Sequence, residues 1–316
     1  MLPGKLFMHI PDGFLSIPVS IVLWVVSIII IGIALRKTNK QLGEKEIPLM
    51  GILAAAIFAG QMLNFSVTGG TSGHLLGAAL ATILLGPWAA ILVMTSVVSI
   101  QALVFQDGGL IALGANLFNM AVVGVFVSYA VLTLINKIIK NEKTALFSGA
   151  VISAWFAIFI ASLGCALELA LSGTSPANIA VPAMATIHAL IGVGEALITL
   201  GAVSFVYAAR KDILKFSSTL KATNKGILIG GGVITLVLAI LSPLASSHPD
   251  GLEWVAEQQG FLSVARDSIY NLIPDYVMPG LTNEAAATII AGILGAAVVF
   301  VLAIGVAQTR KKSVRD

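Results

Sequence analysis

Long apolar runs alternate with short polar or basic breaks along almost the whole chain. A helix needs about 20 apolar residues to cross a bilayer, and that ruler predicts spans over residues 17–35, 47–65, 86–105, 110–135, 145–171, 179–208, 226–241 and 285–307. Pro48 falls near the first turn of its span, where a missing N–H costs nothing. The run 74–85 is too short for an ordinary crossing, so it must tilt or continue a broken helix, with the Gly-rich loop before it buried in protein. Gln106-Asp107-Gly108-Gly109 reads as a tight polar turn. The expected fold class is an all-α polytopic membrane protein of about nine transmembrane helices, seven before a basic linker and two after it.

Composition agrees and narrows the class. Hydrophobic residues make up 58% of the 316 and charged ones 10%, with mean hydropathy +0.99; soluble domains carry about a quarter charged residues. Sixteen of the eighteen Lys and Arg fall on one side if the spans alternate, in the groups at 36–45, 137–143, 210–225 and 310–315. The positive-inside rule then puts the N-terminus outside and the C-terminus in the cytoplasm. The basic pI reflects this topology and carries no implication of nucleic-acid binding. Residues 1–7 hold one lysine and no apolar core of their own, so no cleavable signal peptide is read there. Cys165, the single cysteine, reads as a small buried hydrophobe. The Gly-rich tracts within spans read as helix-packing faces.

Candidate chemistry lies in two stretches that this topology puts on the outer face. Met8-His9-Ile10-Pro11-Asp12-Gly13 offers, in a chain that starts at Met8, an amine, the His9 amide and the His9 imidazole. Binding through all three closes two fused chelate rings in a plane. His74, after Gly69-Gly70-Thr71-Ser72-Gly73, could add a fourth nitrogen. A planar N4 site suits Ni(II) or Cu(II) better than Zn, Mg or Ca. The same two histidines also read as polar loop residues between apolar segments. Seven residues precede Met8, so a free amine requires a start at Met8 or removal of that leader; otherwise the site lacks its first ligand. Asp12 and Gly13 read as a turn after the chelate.

MHIPDGFLS at 8–16, QMLNFSVTGGTSGHLLG at 61–77 and QALVFQDGGLIALGANLFNM at 101–120 resemble the CbiM/NikM family, the substrate-capture components of energy-coupling-factor nickel and cobalt transporters. The resemblance spans about residues 8–207 and implies that Met8, His9 and His74 hold the metal. Pro249-Asp250-Gly251-Leu252-Glu253, between the last two spans, resembles the two-span PDGLE-type auxiliary component found with such subunits. The implied domains are 8–209 for metal capture, 210–225 for a basic linker and 226–316 for the auxiliary part. The family further implies a transmembrane coupling subunit and cytoplasmic ATPase subunits as partners, a location in a prokaryotic plasma membrane, and Ni2+ or Co2+ as transported ligand with no permanently bound cofactor. Planarity and the fused PDGLE part favour nickel over cobalt.

Other polar residues carry open alternatives. Asn64, Thr68 and Ser72 are candidates to hydrogen-bond the ligand nitrogens or their backbone. His188 and Glu195, seven apart on one helical face, and Glu168 in the preceding span are ionisable groups inside the membrane, which are costly and usually functional or paired. They read as a polar path for the ion, as a proton-linked element, or as hydrogen-bonded links between helices. His248 reads as a solvated loop residue beside PDGLE or, alternatively, as a transient metal-delivery ligand. No G-x-x-x-x-G-K-[ST] or H-E-x-x-H motif occurs, so the chain is read as a transport component, with ATP hydrolysis left to separate subunits. A self-contained proton-coupled carrier using Glu168, His188 and Glu195, and a membrane metalloenzyme or sensor, are the readings from other classes.

Overall fold

The computed structural model describes residues 8–41, 46–210, 214 and 224–308. The leader at 1–7, most of the basic linker and the basic C-terminus lie outside them. The nine apolar segments are helical: α1 (Ile17–Gln41), α2 (Glu46–Gln61), α3 (Ala78–Leu85), α4 (Pro87–Val104), α5 (Leu113–Asn116) running through a π-helical stretch (Leu117–Val123) into α6 (Gly124–Ile138), α7 (Glu142–Leu171), α8 (Ala177–Arg210), α9 (Asn224–Leu241) and α11 (Glu284–Gln308). A further short helix, α10 (Gly251–Gln259), lies between α9 and α11. Among the described residues seven helices are long and apolar enough to cross a membrane. The other two apolar segments are shorter, 16 residues in α2 and 8 in α3.

The shortness of α2 has a counterpart in its packing. Its residues are apolar all round, the pattern of a helix surrounded by protein, and nearly all of them are buried. α9, α11 and α4 pack around it. Glycines set those contacts: Gly231 of α9 faces Ile52, Gly51 faces Ile304 and Phe300, and Gly295 of α11 faces Phe58 and Phe105. Absence of a side chain lets helices approach closely in lipid, where packing rather than water drives association. The C-terminal helices are thus built into the same bundle as the N-terminal ones.

At one end of the bundle the connections bond to one another. Gly109 N donates to Ile10 O, Ser246 N to Asn64 O, Ser72 N to Pro249 O, Arg266 N to Asp12 O and Ile273 N to Val104 O, while the Thr174 hydroxyl donates to Phe14 O. One feature there is not helical. The Gly-rich loop folds as a hairpin of β1 (Phe65–Val67) and β2 (Thr71–Gly73), paired antiparallel with Phe65 opposite Gly73. Gly69 and Gly70 take φ of 93° and 78° in its turn, values that favour glycine. This hairpin delivers His74 to the top of α3.

Candidate metal-capture site

The N-terminal segment enters the bundle as extended chain, so its peptide groups need partners from elsewhere. Asn116 supplies two: its Oδ1 accepts from Ile10 N at 3.0 Å and its Nδ2 donates to Ile10 O at 3.1 Å. Asn116 ends α5, at the start of the π-helical stretch, a distortion common at functional sites. Asp12 does the reverse, its carboxylate accepting from the amides of Leu110, Ile111 and Ala112 at 2.8–3.1 Å. Gly13 follows with φ 97°. Gly108 and Gly109 pass so close that a Cβ on Gly109 would lie 2.0 Å from Asp12 Oδ1. Asp12 and Gly13 therefore seat and turn the segment.

This seat fixes His9, which is 3% exposed. Its Nδ1 lies 2.9 Å from Asp107 Oδ1, ion-pair distance but off the line for a hydrogen bond, so neither ring nitrogen has a hydrogen-bond partner. Met8 N donates to the same oxygen at 3.1 Å, and the Tyr276 hydroxyl donates to Asp107 Oδ2 at 2.6 Å. Burial pulls the His9 pKa down, but the Asp107 charge outweighs it and the net value is raised. For Asp107 burial pushes up, while His9 and the Tyr276 hydroxyl pull harder, leaving the carboxyl below its ordinary value.

His74 stands opposite, its ring centroid 5.5 Å from that of His9. Its Nδ1 is 3.0 Å from Leu75 O and its Nε2 3.2 Å from Met8 O. Burial, and then the neighbouring His9, lower its pKa, so it is neutral near pH 7 and can donate only once. Donation from Nδ1 to Leu75 O leaves a lone pair on Nε2 facing a carbonyl oxygen. A cation at that place would satisfy both acceptors. The hairpin and α8 hold this geometry: Glu195 accepts from Leu76 N at 2.6 Å and Gly77 N at 3.0 Å.

His9 and His74 share a cavity of ≈ 90 Å³ with Met8, Cys165, His188 and Asp250. Among the described residues no group of three His, Cys, Asp or Glu side chains stands ready to hold an ion. The remaining candidates are placed differently. Ser72 is buried, with its hydroxyl donating to His248 O; the backbone carbonyl of Asn64 accepts from Ser246 N; Thr68 is exposed in the hairpin turn. Glu168 accepts from Asn119 Nδ2 at 2.8 Å, and His188 Nδ1 lies 2.9 Å from Met184 O. His188 lines the cavity; no hydrogen bond among those described joins it to Glu168 or Glu195. His248 is exposed. Asp107, Asn116, Asp250 and Tyr276 are not singled out by the sequence: Asp107 and Asn116 lie within the 101–120 motif and Asp250 within PDGLE, while nothing in the sequence marks Tyr276.

A family model described as cobalt uptake substrate-specific transmembrane region matches residues 9–213. The chain belongs to that family. A PDGLE domain model matches residues 225–312, so the two parts are a fused pair of the NikMN type. A putative fused nickel transport protein NikMN of Archaeoglobus fulgidus is 42% identical over 96% of this chain and 98% of its own length. The fused nickel transport protein NikMN of Rhodobacter capsulatus is 32% identical over 79% of this chain and 76% of its own. A crystal structure of a transition metal transporter shares 35% identity and superposes with a TM-score of 0.59, covering 68% of this chain and all of that one. This member of the family is a multi-pass membrane protein.

Proposed function

We propose that this chain is the substrate-specificity component of an ATP-driven energy-coupling-factor importer for a divalent transition metal, Ni2+ first and Co2+ next, in a prokaryotic plasma membrane. The observation that carries the reading is the convergence of Met8, His9 and His74 on one cavity. Relatives named as nickel transport proteins and the fused PDGLE domain support nickel; the cobalt transport protein CbiM of Sorangium cellulosum, 33% identical over 66% of this chain, keeps cobalt next.

In the working cycle the bundle end that carries the site faces outward. The ion is captured by nitrogens in a plane: the Met8 amine where it is free, the His9 amide, His9 Nδ1 and His74 Nε2. Planar nitrogen binding disfavours Mg and Ca, which want oxygen ligands, and ions that insist on tetrahedral sites. Asn116 and Asp12 hold the chelating segment rigid, so little ordering is left to do on binding. Release inward follows a rearrangement driven by a coupling subunit and ATPase subunits. The chain is a transport component with no resident cofactor.

Uptake of 63Ni into vesicles tests the reading. Vesicles holding this chain with its coupling and ATPase subunits should accumulate nickel when ATP is supplied inside the ATPase compartment. Equal accumulation without ATP and without those subunits would instead make the protein a self-contained carrier.

A further inference from the structure

The C-terminal part reaches the cavity through Asp250, Gly251 and Leu252, and Asp250 is the ionisable residue among them. Residues 248–250 lie beside β2: Ser72 N donates to Pro249 O at 2.8 Å, Ser72 Oγ to His248 O at 2.8 Å, and Ser72 pairs with Asp250 as a parallel bridge. That pairing sets Asp250 next to the strand that ends just before His74. Asp250 then caps α10, its Oδ1 accepting from Glu253 N at 2.9 Å. The other oxygen, Oδ2, faces His74 Nε2 across 3.9 Å, with Asp250 buried and His74 largely so. Gly251 makes the approach possible, since a Cβ there would lie 2.7 Å from Ile191 Cδ1 and 2.9 Å from His188 Cε1.

Nitrogen–metal and carboxylate–metal bonds are each about 2.0–2.2 Å long, so one ion can span a nitrogen and an oxygen 3.9 Å apart. Resting on the reading of His74 as a ligand, we infer that Asp250 Oδ2 is a further donor to the captured ion. It brings an oxygen and a negative charge to a set of nitrogens, which offsets the cost of holding a divalent cation away from water. It also makes the PDGLE segment part of the site, so an ion bound on His74 clamps α10 against the hairpin.

The test uses the full chain in detergent. Ni(II) is titrated by calorimetry, and the ligand-field spectrum of the Co(II)-loaded protein is recorded, for wild type, Asp250→Asn, Asp250→Glu and His74→Ala. Asn is as good a helix cap as Asp, so Asp250→Asn should melt like wild type without metal. Its affinity should fall about 10–100-fold and its Co(II) bands should shift, with Asp250→Glu recovering part of the affinity. Wild-type affinity and an unchanged spectrum in Asp250→Asn would overturn the inference. If Asp250→Asn does not fold, the spectrum of Asp250→Glu decides, and bands identical to wild type overturn it. Loss of binding in His74→Ala alone leaves the His74 reading standing while the Asp250 inference falls; undiminished binding in His74→Ala removes both.

Discussion

Asp107 Oδ1 sits 2.9 Å from His9 Nδ1 and within hydrogen-bond reach of Met8 N, in the bite that the chelate would close around an ion. One carboxylate oxygen therefore occupies the neighbourhood of both nitrogens, and a captured ion must take its place between them. The same contact governs the pH response. His9 has a raised pKa, its ordinary value being about 6.5, and only the neutral ring can ligate. Below the raised value the ring proton competes with the metal; above it that ring no longer contributes to the competition. Nickel affinity should accordingly rise with pH through a midpoint above the ordinary imidazole value. Asp107→Asn removes the charge that raises it, so the midpoint should move to lower pH. Calorimetry across pH, in buffers of different ionisation enthalpy, reads both the affinity and the proton release, and a midpoint unmoved in Asp107→Asn would contradict the assignment.

The seat of the chelating segment should be separable from the ligands. Asp12→Ala removes the acceptor of three backbone amides, at Leu110, Ile111 and Ala112. Hydrogen bonds to charged groups contribute about 1.5–3 kcal/mol each when buried; with Asp12 half-buried, a total loss of about 2–4 kcal/mol is expected. Thermal unfolding should show that loss without metal present, together with weaker nickel binding. Unchanged melting would mean that the 8–13 segment is held by other contacts.

Gly73 tests the hairpin that carries His74. A Cβ at this position would fall 2.4 Å from Ile191 Cγ2, and overpacking of that kind costs about 1–3 kcal/mol. Gly73→Ala should push β2 off α8 and lower nickel affinity, whereas Gly70→Ala, where a Cβ meets nothing within 4 Å, should strain only the turn and leave the affinity close to wild type. Equal effects of the two would remove hairpin placement as the cause.

A chain beginning at Met8 should bind nickel more tightly than one beginning at Met1, because only the former has an amine at that position. The comparison is a direct titration of the two forms. Identical affinities would make the amine dispensable and leave the fourth donor to be supplied by another group.

Much of the bundle was legible in the sequence because crossing a membrane demands long apolar runs, and each expected run is a helix. The lengths of α2 and α3 were less legible: hydropathy counts apolar residues and does not report that α9 and α11 wrap α2 and take its lipid-facing role. The hairpin escaped because its strands have three residues each and are held by the distant Pro249 and His248 rather than by a period-two pattern. His9 and His74 stood out through their neighbours in sequence. Asp107 and Asp250 did not, since what matters about them is a contact 98 or 176 positions away, which no local spacing records. Likewise Glu195 reads in the sequence either as part of a polar path or as a hydrogen-bonded link between helices, and no local spacing shows that its partners are two backbone amides after His74.

The measurement that bears most directly on the central claim is nickel binding to His74→Ala by calorimetry, beside its metal-free melting curve. His74 lies in the short link between β2 and α3, so the variant should melt within a few degrees of wild type, on the order of 1 kcal/mol, and lose tight binding. A folded His74→Ala protein that still binds nickel as wild type does would contradict capture by His9 and His74 together.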